Sequence, residues 1–164
     1  MADLISHASV AVLAKAGTRW SMAPVFVAGT LAPDLLSRAP AIALGWVHRN
    51  LVTLPDVMTY GWDPLHQPLG MLIAAYGLTL LFQAEERRSV FLNIVGGMSL
   101  HLALDLLQHH FGVGYLLAFP FSHWHFELAW IGSEDTVLAA PILAILAVWA
   151  WRVQNRKPSQ DASA

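Results

Sequence analysis

The chain has 164 residues, no cysteine, eight histidines and a formal net charge of −2. Hydrophobic residues make up 56% of it and charged residues 12%, whereas soluble domains average about 45–50% and about 25%. The length fits one domain, the weak acidic charge argues against nucleic acid as a partner, and the lack of cysteine excludes disulfides and thiolate metal sites. The apolar excess favours a protein whose partner is the lipid bilayer; a soluble all-α protein with very buried helices is the alternative.

Apolar segments separated by polar or glycine-rich stretches predict an all-α fold. In chain order, the apolar segments are residues 4–16, 21–33, 39–54 (interrupted by His48-Arg49), 68–84, 89–107 and 137–151. The runs at 68–84 and 137–151 approach the roughly 20 residues of a spanning helix only with their aromatic flanks. We expect loops at 54–68 and 111–132. Residues 1–152 are then one integral membrane helical bundle, followed by a polar disordered tail at 153–164.

The segment "GGMSLHLALDLLQHH", residues 96–110, places ionisable side chains in an apolar helix. His101 and Asp105 are four residues apart, so they lie on one helical face. An acid in an apolar span is costly unless it is paired or bound to a metal, and such residues usually have a function. Taken alone, the pair is consistent with metal binding and equally with a His–Asp hydrogen bond that stabilises packing.

Three further residues enlarge the set of metal-binding side chains. His7 lies in the first apolar segment, Asp34 follows Pro33 at the end of the second, and His66 precedes the run at 68–84. With His101 and Asp105 they supply three imidazoles and two carboxylates, which are ligands for zinc, manganese or iron. We therefore predict a divalent metal, zinc in the first instance, at helix ends near the membrane surface.

The order of these motifs, "SHASVAVLA", "GTLAPDLL", "PLH" and "GGMSLHLALDLLQHH", resembles the YdjM-like membrane-bound metal-dependent hydrolases over residues 1–136. More distantly, it is similar to zinc-dependent phospholipase C. The resemblance implies that one metal is bound by Asp34, His66, His101 and Asp105, and that Asp105 bridges to a second metal that His7 binds. It also implies catalytic roles for Asp34 and Asp105 in phosphoester hydrolysis, with a metal lowering the pKa of water from about 15.7 to about 7.

The similarity to phospholipase C suggests an additional metal position. That enzyme has a further histidine and then a His-x-x-x-Glu motif; this chain offers His109 or His110, and then His123 and Glu127 in "HWHFE". His123 and Glu127 share a face if this segment is helical. The alternative is a loop rich in tryptophan and histidine at the membrane interface.

The resulting functional hypothesis is a membrane-bound metal-dependent hydrolase that acts on a phospholipid or another lipid-linked phosphate. A non-catalytic metal-binding membrane protein and a purely structural one are the alternatives. If the helices alternate across the inner membrane, all candidate ligands fall on one side, and every Lys and Arg except Arg38 and Arg49 falls on the other. Because cytoplasmic loops are enriched in Lys and Arg, we expect a multi-pass protein with its site on the exoplasmic face.

Overall fold

The computed structural model describes residues 4–18, 20–109 and 114–156. Over these ranges the protein is all-helical and has no strand, which confirms the predicted all-α class. The elements are α1 (Leu4–Ala16), α2 (Ala23–Pro33), a π-helical turn (Asp34–Arg38), α3 (Ala39–Asn50), α4 (Asp56–Tyr60), a 3₁₀ turn (Asp63–His66), α5 (Pro68–Thr79), α6 (Arg87–Leu107) and α7 (Ser133–Arg156).

The helix ends follow local sequence signals. Lys15 lies in the last turn of α1, where a cation is favoured by the helix dipole, and Gly17 follows the helix. α5 begins at Pro68, which needs no intrahelical partner for its nitrogen. Glu134 and Asp135 occupy the first turn of α7, as expected from their charge. The Asp135 carboxylate also accepts a hydrogen bond from the Gly132 N–H at 3.2 Å.

Several predicted boundaries were wrong. α3 is not interrupted at His48-Arg49, because these residues form its last turn and the His48 imidazole accepts a hydrogen bond from the Leu54 N–H at 2.8 Å. The expected loop at 54–68 contains α4 and the 3₁₀ turn. α7 continues through Arg156, so the proposed start of the tail at residue 153 falls inside this helix. Residues 157–164 of that tail lie outside the described residues.

α6 is the central helix and packs against α2, α5 and α1. The apolar core between them contains Val90, Ile94 and Met98 of α6, Met71 and Ala75 of α5, and Ala32 of α2. Glycines bring α2 and α6 into backbone contact: a Cβ atom on Gly97 would lie 2.2 Å from the Phe26 carbonyl oxygen, and one on Gly29 would lie 2.6 Å from that of Ile94. Small residues at such a crossing are typical of helices that associate closely.

α1 and α7 run side by side in the same direction. Near their first residues the Ser6 hydroxyl donates to the Thr136 carbonyl at 3.1 Å, and near their last residues the Gln154 amide donates to the Ala16 carbonyl at 2.9 Å. α6 runs the opposite way, since His7 of α1 contacts Asp105 near the end of α6. One end of the bundle, here called the basic end, therefore carries Lys15, Arg87, Arg88, Arg152 and Arg156.

Two of the described helices, α6 and α7, are long and apolar enough to cross a membrane. α1 and α5 are shorter apolar helices. Large apolar side chains of α7 face outward: Leu138 is 76% exposed, Ile145 70% and Trp149 65%. The bundle therefore presents an apolar surface of the kind that water disfavours and lipid accommodates.

Candidate metal centre

Five candidate ligands from four separate segments meet at the end of the bundle opposite the basic end. They are His7 of α1, Asp34 of the π-helical turn, His66 of the 3₁₀ turn, and His101 and Asp105 of α6. All five are buried, and His7 and His101 have no exposed surface. The structure thus brings together side chains that the sequence places far apart.

Asp105 lies at the middle of this group. Its Oδ2 atom is 3.0 Å from Nε2 of His66 and 3.2 Å from Nε2 of His101, and its Oδ1 atom is 3.3 Å from Nε2 of His7. The Nε2 atoms of His66 and His101 are themselves 3.2 Å apart. Ligands that surround a tetrahedral zinc ion at about 2.0–2.1 Å lie about 3.3 Å from one another. These separations are therefore close to the edge lengths of a zinc coordination shell, and they are equally close to hydrogen-bond lengths.

The ligand atoms form two overlapping groups, His7–His101–Asp105 and Asp34–His66–His101, in each of which all atoms lie within 4.8 Å of one another. The buried His/Asp groups can hold a metal ion. His101 belongs to both groups, and its ring stacks on that of His7 with centroids 4.3 Å apart. The resemblance divides the ligands differently, with Asp105 as the shared residue.

Ser37 holds the ring of His66 in place. The Ser37 hydroxyl donates to the Pro33 carbonyl at 2.6 Å, so its oxygen accepts from Nδ1–H of His66 at 3.1 Å. The other ring nitrogen of His66, Nε2, faces the Asp105 carboxylate at 3.0 Å. Fixing a ligand histidine through its other nitrogen is typical of metal centres.

Three residues that contact the candidate ligands were not predicted from the sequence: Ser37, Arg38 and Tyr115. Ser37 contacts His66, as described above. The Tyr115 hydroxyl donates to Oδ2 of Asp105, and Nε of Arg38 lies 2.9 Å from Oδ1 of Asp34. Ser37 and Arg38 follow Asp34 within about one turn, which is a usable signal. Tyr115 has no such signal, because it comes from a loop whose course is set by backbone hydrogen bonds between Tyr115 and Phe126.

The Tyr115 phenol is buried beside a carboxylate. Burial raises the pKa of this phenol, and the negative charge of Asp105 raises it further. The hydroxyl therefore stays protonated and remains a hydrogen-bond donor to Asp105. The ring of Tyr115 also stacks on that of His66, with centroids 5.5 Å apart.

The residues suggested for an additional metal position are arranged differently. The segment that contains His123 and Glu127 is a loop and not a helix, so the two side chains do not share a helical face. Neither belongs to a metal-binding group among the described residues, and His123 is exposed. His109 follows α6, and its N–H donates to the Ile131 carbonyl at 3.0 Å. His110 lies outside the described residues.

Two cavities adjoin the centre. The first, here called the polar cavity, has a volume of about 280 Å³, and its lining includes Ser37, Arg38, His66, Gln67, Tyr115 and His125. The second, here called the apolar cavity, has a volume of about 350 Å³ and lies between α1, α6 and α7; its lining includes His7, Val10, Leu104, Leu107, Ala139 and Leu143. The candidate ligands are therefore bordered by a polar cavity on one side and by an apolar cavity on another.

No family model, curated protein or solved structure matches this chain. The likeness to YdjM-like hydrolases consequently depends on the ordered sequence motifs alone.

Proposed function

We propose that this protein is a membrane-bound metal-dependent hydrolase whose substrate is a phosphoester attached to a hydrocarbon chain, such as a phospholipid or another lipid-linked phosphate. The observation that carries the proposal is the buried group of three imidazoles and two carboxylates, whose ligand atoms form two sets with all atoms within 4.8 Å of one another. Imidazole nitrogen with carboxylate oxygen suits zinc, and it also suits manganese or iron. YdjM-like hydrolases are the family to which we propose that the chain belongs.

The two carboxylates of the centre have different surroundings. Asp105 is enclosed by three imidazoles and the Tyr115 hydroxyl, so it is the better ligand. Asp34 contacts Arg38 at 2.9 Å and lies 3.8 Å from His66, so fewer candidate ligands surround it. When bound, a divalent metal would supply Lewis acidity and lower the pKa of water from about 15.7 to about 7. Arg38 and Tyr115 then hold the two carboxylates in place.

The surroundings of the centre support a lipid-like substrate. The apolar cavity reaches His7 and is lined by six aliphatic side chains together with Ser6, Gln108, Asp135 and Thr136, and its aliphatic part is suited to a hydrocarbon chain. α6 and α7 are also the helices that can cross a membrane. An ester at the level of the lipid headgroups would then lie next to the metal ligands while its chain remained in apolar surroundings.

The distribution of basic residues supports an orientation for the bundle. The basic end is opposite the metal centre, and cytoplasmic loops are enriched in Lys and Arg. We therefore propose a multi-pass protein of the inner membrane with its centre on the exoplasmic face.

The first test is the metal content of the full chain after purification in a mild detergent. We expect bound zinc in the wild type and loss of zinc in His101→Ala, with His125→Ala as the control, because His125 is exposed and outside the metal-binding groups. A wild-type protein without any metal would refute the proposal and leave the structural alternative.

The second test separates an enzyme from a non-catalytic metal-binding protein. The zinc-loaded wild type and Asp34→Asn are incubated with a short-chain phospholipid, and the release of the phosphorylated headgroup is measured. We expect hydrolysis by the wild type and a loss of at least 100-fold in Asp34→Asn, within the range that general acid–base catalysis contributes. Zinc binding without hydrolysis of phosphate esters would favour the non-catalytic alternative.

A further inference from the structure

Arg38 differs from the other basic residues in its position. Among the described lysines and arginines it alone lines the polar cavity, and it does so beside the metal ligand candidates Asp34 and His66. Its side chain is one-third exposed, at 33%, so it is neither enclosed in the core nor fully solvated. A cation in such a position is accessible to a molecule in the cavity.

The guanidinium has donors left over after its contacts within the protein. Its Nε atom lies 2.9 Å from Oδ1 of Asp34 as an ion pair without an aligned hydrogen bond, and its Nη2 atom donates to the Tyr115 hydroxyl at 3.4 Å. An arginine carries five N–H groups, and the Nη1 pair has no hydrogen-bond partner among the described residues. A role as counter-ion for Asp34 therefore uses only part of the hydrogen-bonding capacity of Arg38.

A second unpaired group lies in the same cavity. The buried Oε1 atom of Gln67 has no hydrogen-bond partner among the described residues, although buried polar atoms are nearly always paired. The terminal amide can turn to present its NH₂ group in place of its oxygen. His125 adds a third potential donor at the cavity surface. The single carboxylate of this lining, Asp63, is exposed and therefore screened by solvent.

We infer that the polar cavity is an oxyanion subsite in which Arg38 binds the phosphate group of the substrate and Gln67 assists it. Planar guanidinium groups bind phosphate through two parallel hydrogen bonds, which fixes the orientation of the anion as well as its position. Arg38 then orients the phosphoester beside the ligands of the metal centre. The choice of a phosphate ester rests on the proposed function, whereas anion binding by Arg38 can be measured without it.

The test is binding of inorganic phosphate to the full chain in detergent, measured by titration calorimetry in the zinc-loaded and the chelator-treated state. In Arg38→Gln we expect the Kd for phosphate to rise roughly 10- to 100-fold, the range for hydrogen bonds to charged groups. Arg38→Lys should give an intermediate value, because it keeps the charge and loses the planar fork. Arg49→Gln is the matched control, since Arg49 lies at the end of α3 and does not line the cavity.

The outcomes separate this inference from the proposed function. Equal phosphate affinity in Arg38→Gln and wild type, in both metal states, would overturn the subsite and leave Arg38 as the counter-ion of Asp34. A wild type that binds no phosphate in either state would overturn it as well. Arg38-dependent phosphate binding by a chain that takes up no metal would support the subsite and refute the metal-dependent function.

Discussion

Replacing Gly97 by alanine should damage the metal centre from a distance. The new Cβ atom would lie 2.2 Å from the Phe26 carbonyl oxygen and 2.6 Å from the Thr30 nitrogen, whereas ordinary contacts begin at 3.4 Å. Both neighbours are backbone atoms of α2, so no side-chain rotation can relieve the overlap. α2 must therefore move away from α6 by about 1.2 Å at this point.

The free-energy cost follows from two opposing effects. Overpacking costs about 1–3 kcal/mol, and a contact between two backbones falls at the upper end of that range. Alanine recovers about 1 kcal/mol through its higher helix propensity. We therefore expect Gly97→Ala to lower the free energy of unfolding by about 2 kcal/mol.

Gly97→Ala should weaken metal binding as well as lower stability. α2 ends next to Asp34, while His101 and Asp105 lie on α6, so a separation of the two helices changes distances between the ligands. Metal sites require ligand distances within about 0.2 Å of ideal. A displacement several times larger should weaken metal binding at least 10-fold, as losses of supporting contacts do.

The assay combines competition with a chromogenic zinc chelator and thermal unfolding in detergent. Gly77→Ala is the matched control, because a Cβ atom on this α5 residue meets nothing within 4 Å. It should be at least as stable as the wild type and bind metal equally well. If Gly97→Ala is as stable as Gly77→Ala and has the same metal affinity, the close contact between α2 and α6 does not position the ligands.

Three further predictions concern the contact between Ser37 and His66, the pKa of Tyr115, and the side of the membrane that the centre faces. Ser37→Ala removes the acceptor that fixes the His66 ring, and it should weaken zinc binding by about 10–100-fold in chelator competition; unchanged affinity would show that the ring is held by other contacts. Because the pKa of Tyr115 is raised in the folded protein, unfolding releases a phenol with an ordinary pKa of about 10, and stability should fall as pH rises through that value. This loss, followed by thermal unfolding between pH 9 and pH 11, should be smaller in Tyr115→Phe, and an identical pH profile of the two proteins would contradict it. In intact cells an impermeant thiol reagent should label Glu134→Cys and spare Ser89→Cys, and the reverse pattern would place the centre on the cytoplasmic face.

Helix positions were predictable where apolar runs coincide with clear end signals. α1 was located closely, because a glycine follows it. The predicted end of the second apolar segment at Pro33-Asp34 was wrong, since the backbone remains helical through the π-helical turn into α3. The end of α7 was placed too early, since hydrophobicity declines after Trp151 while helical hydrogen bonding continues to Arg156. The turns at Asp56–Tyr60 and Asp63–His66 were missed, because proline and glycine indicate an irregular path without excluding single helical turns.

For the candidate site, the sequence indicated which side chains could bind a metal, but it did not indicate which other residues lie in contact with them. Histidines and aspartates in apolar segments are costly to bury, so His101 and Asp105 could be singled out without a structure. Tyr115 could not, because its contact with Asp105 arises from the pairing of two loop segments. The π-helical turn was equally invisible, since no residue pattern distinguishes it from the α-helix that precedes it. Yet this turn holds Asp34, Ser37 and Arg38 next to His66.

The distribution of the ligands over four segments has a consequence for biogenesis. His7 precedes Asp105 by the whole of α2 to α5, so the centre cannot be completed until α6 has been synthesised and placed beside α1. The loop closed by this contact is long, and its entropic cost falls on the last docking step. Uptake of a metal would then favour chains in which all four segments have come together, and chains without a metal should be more open to proteolysis at the end of the bundle that carries the candidate ligands.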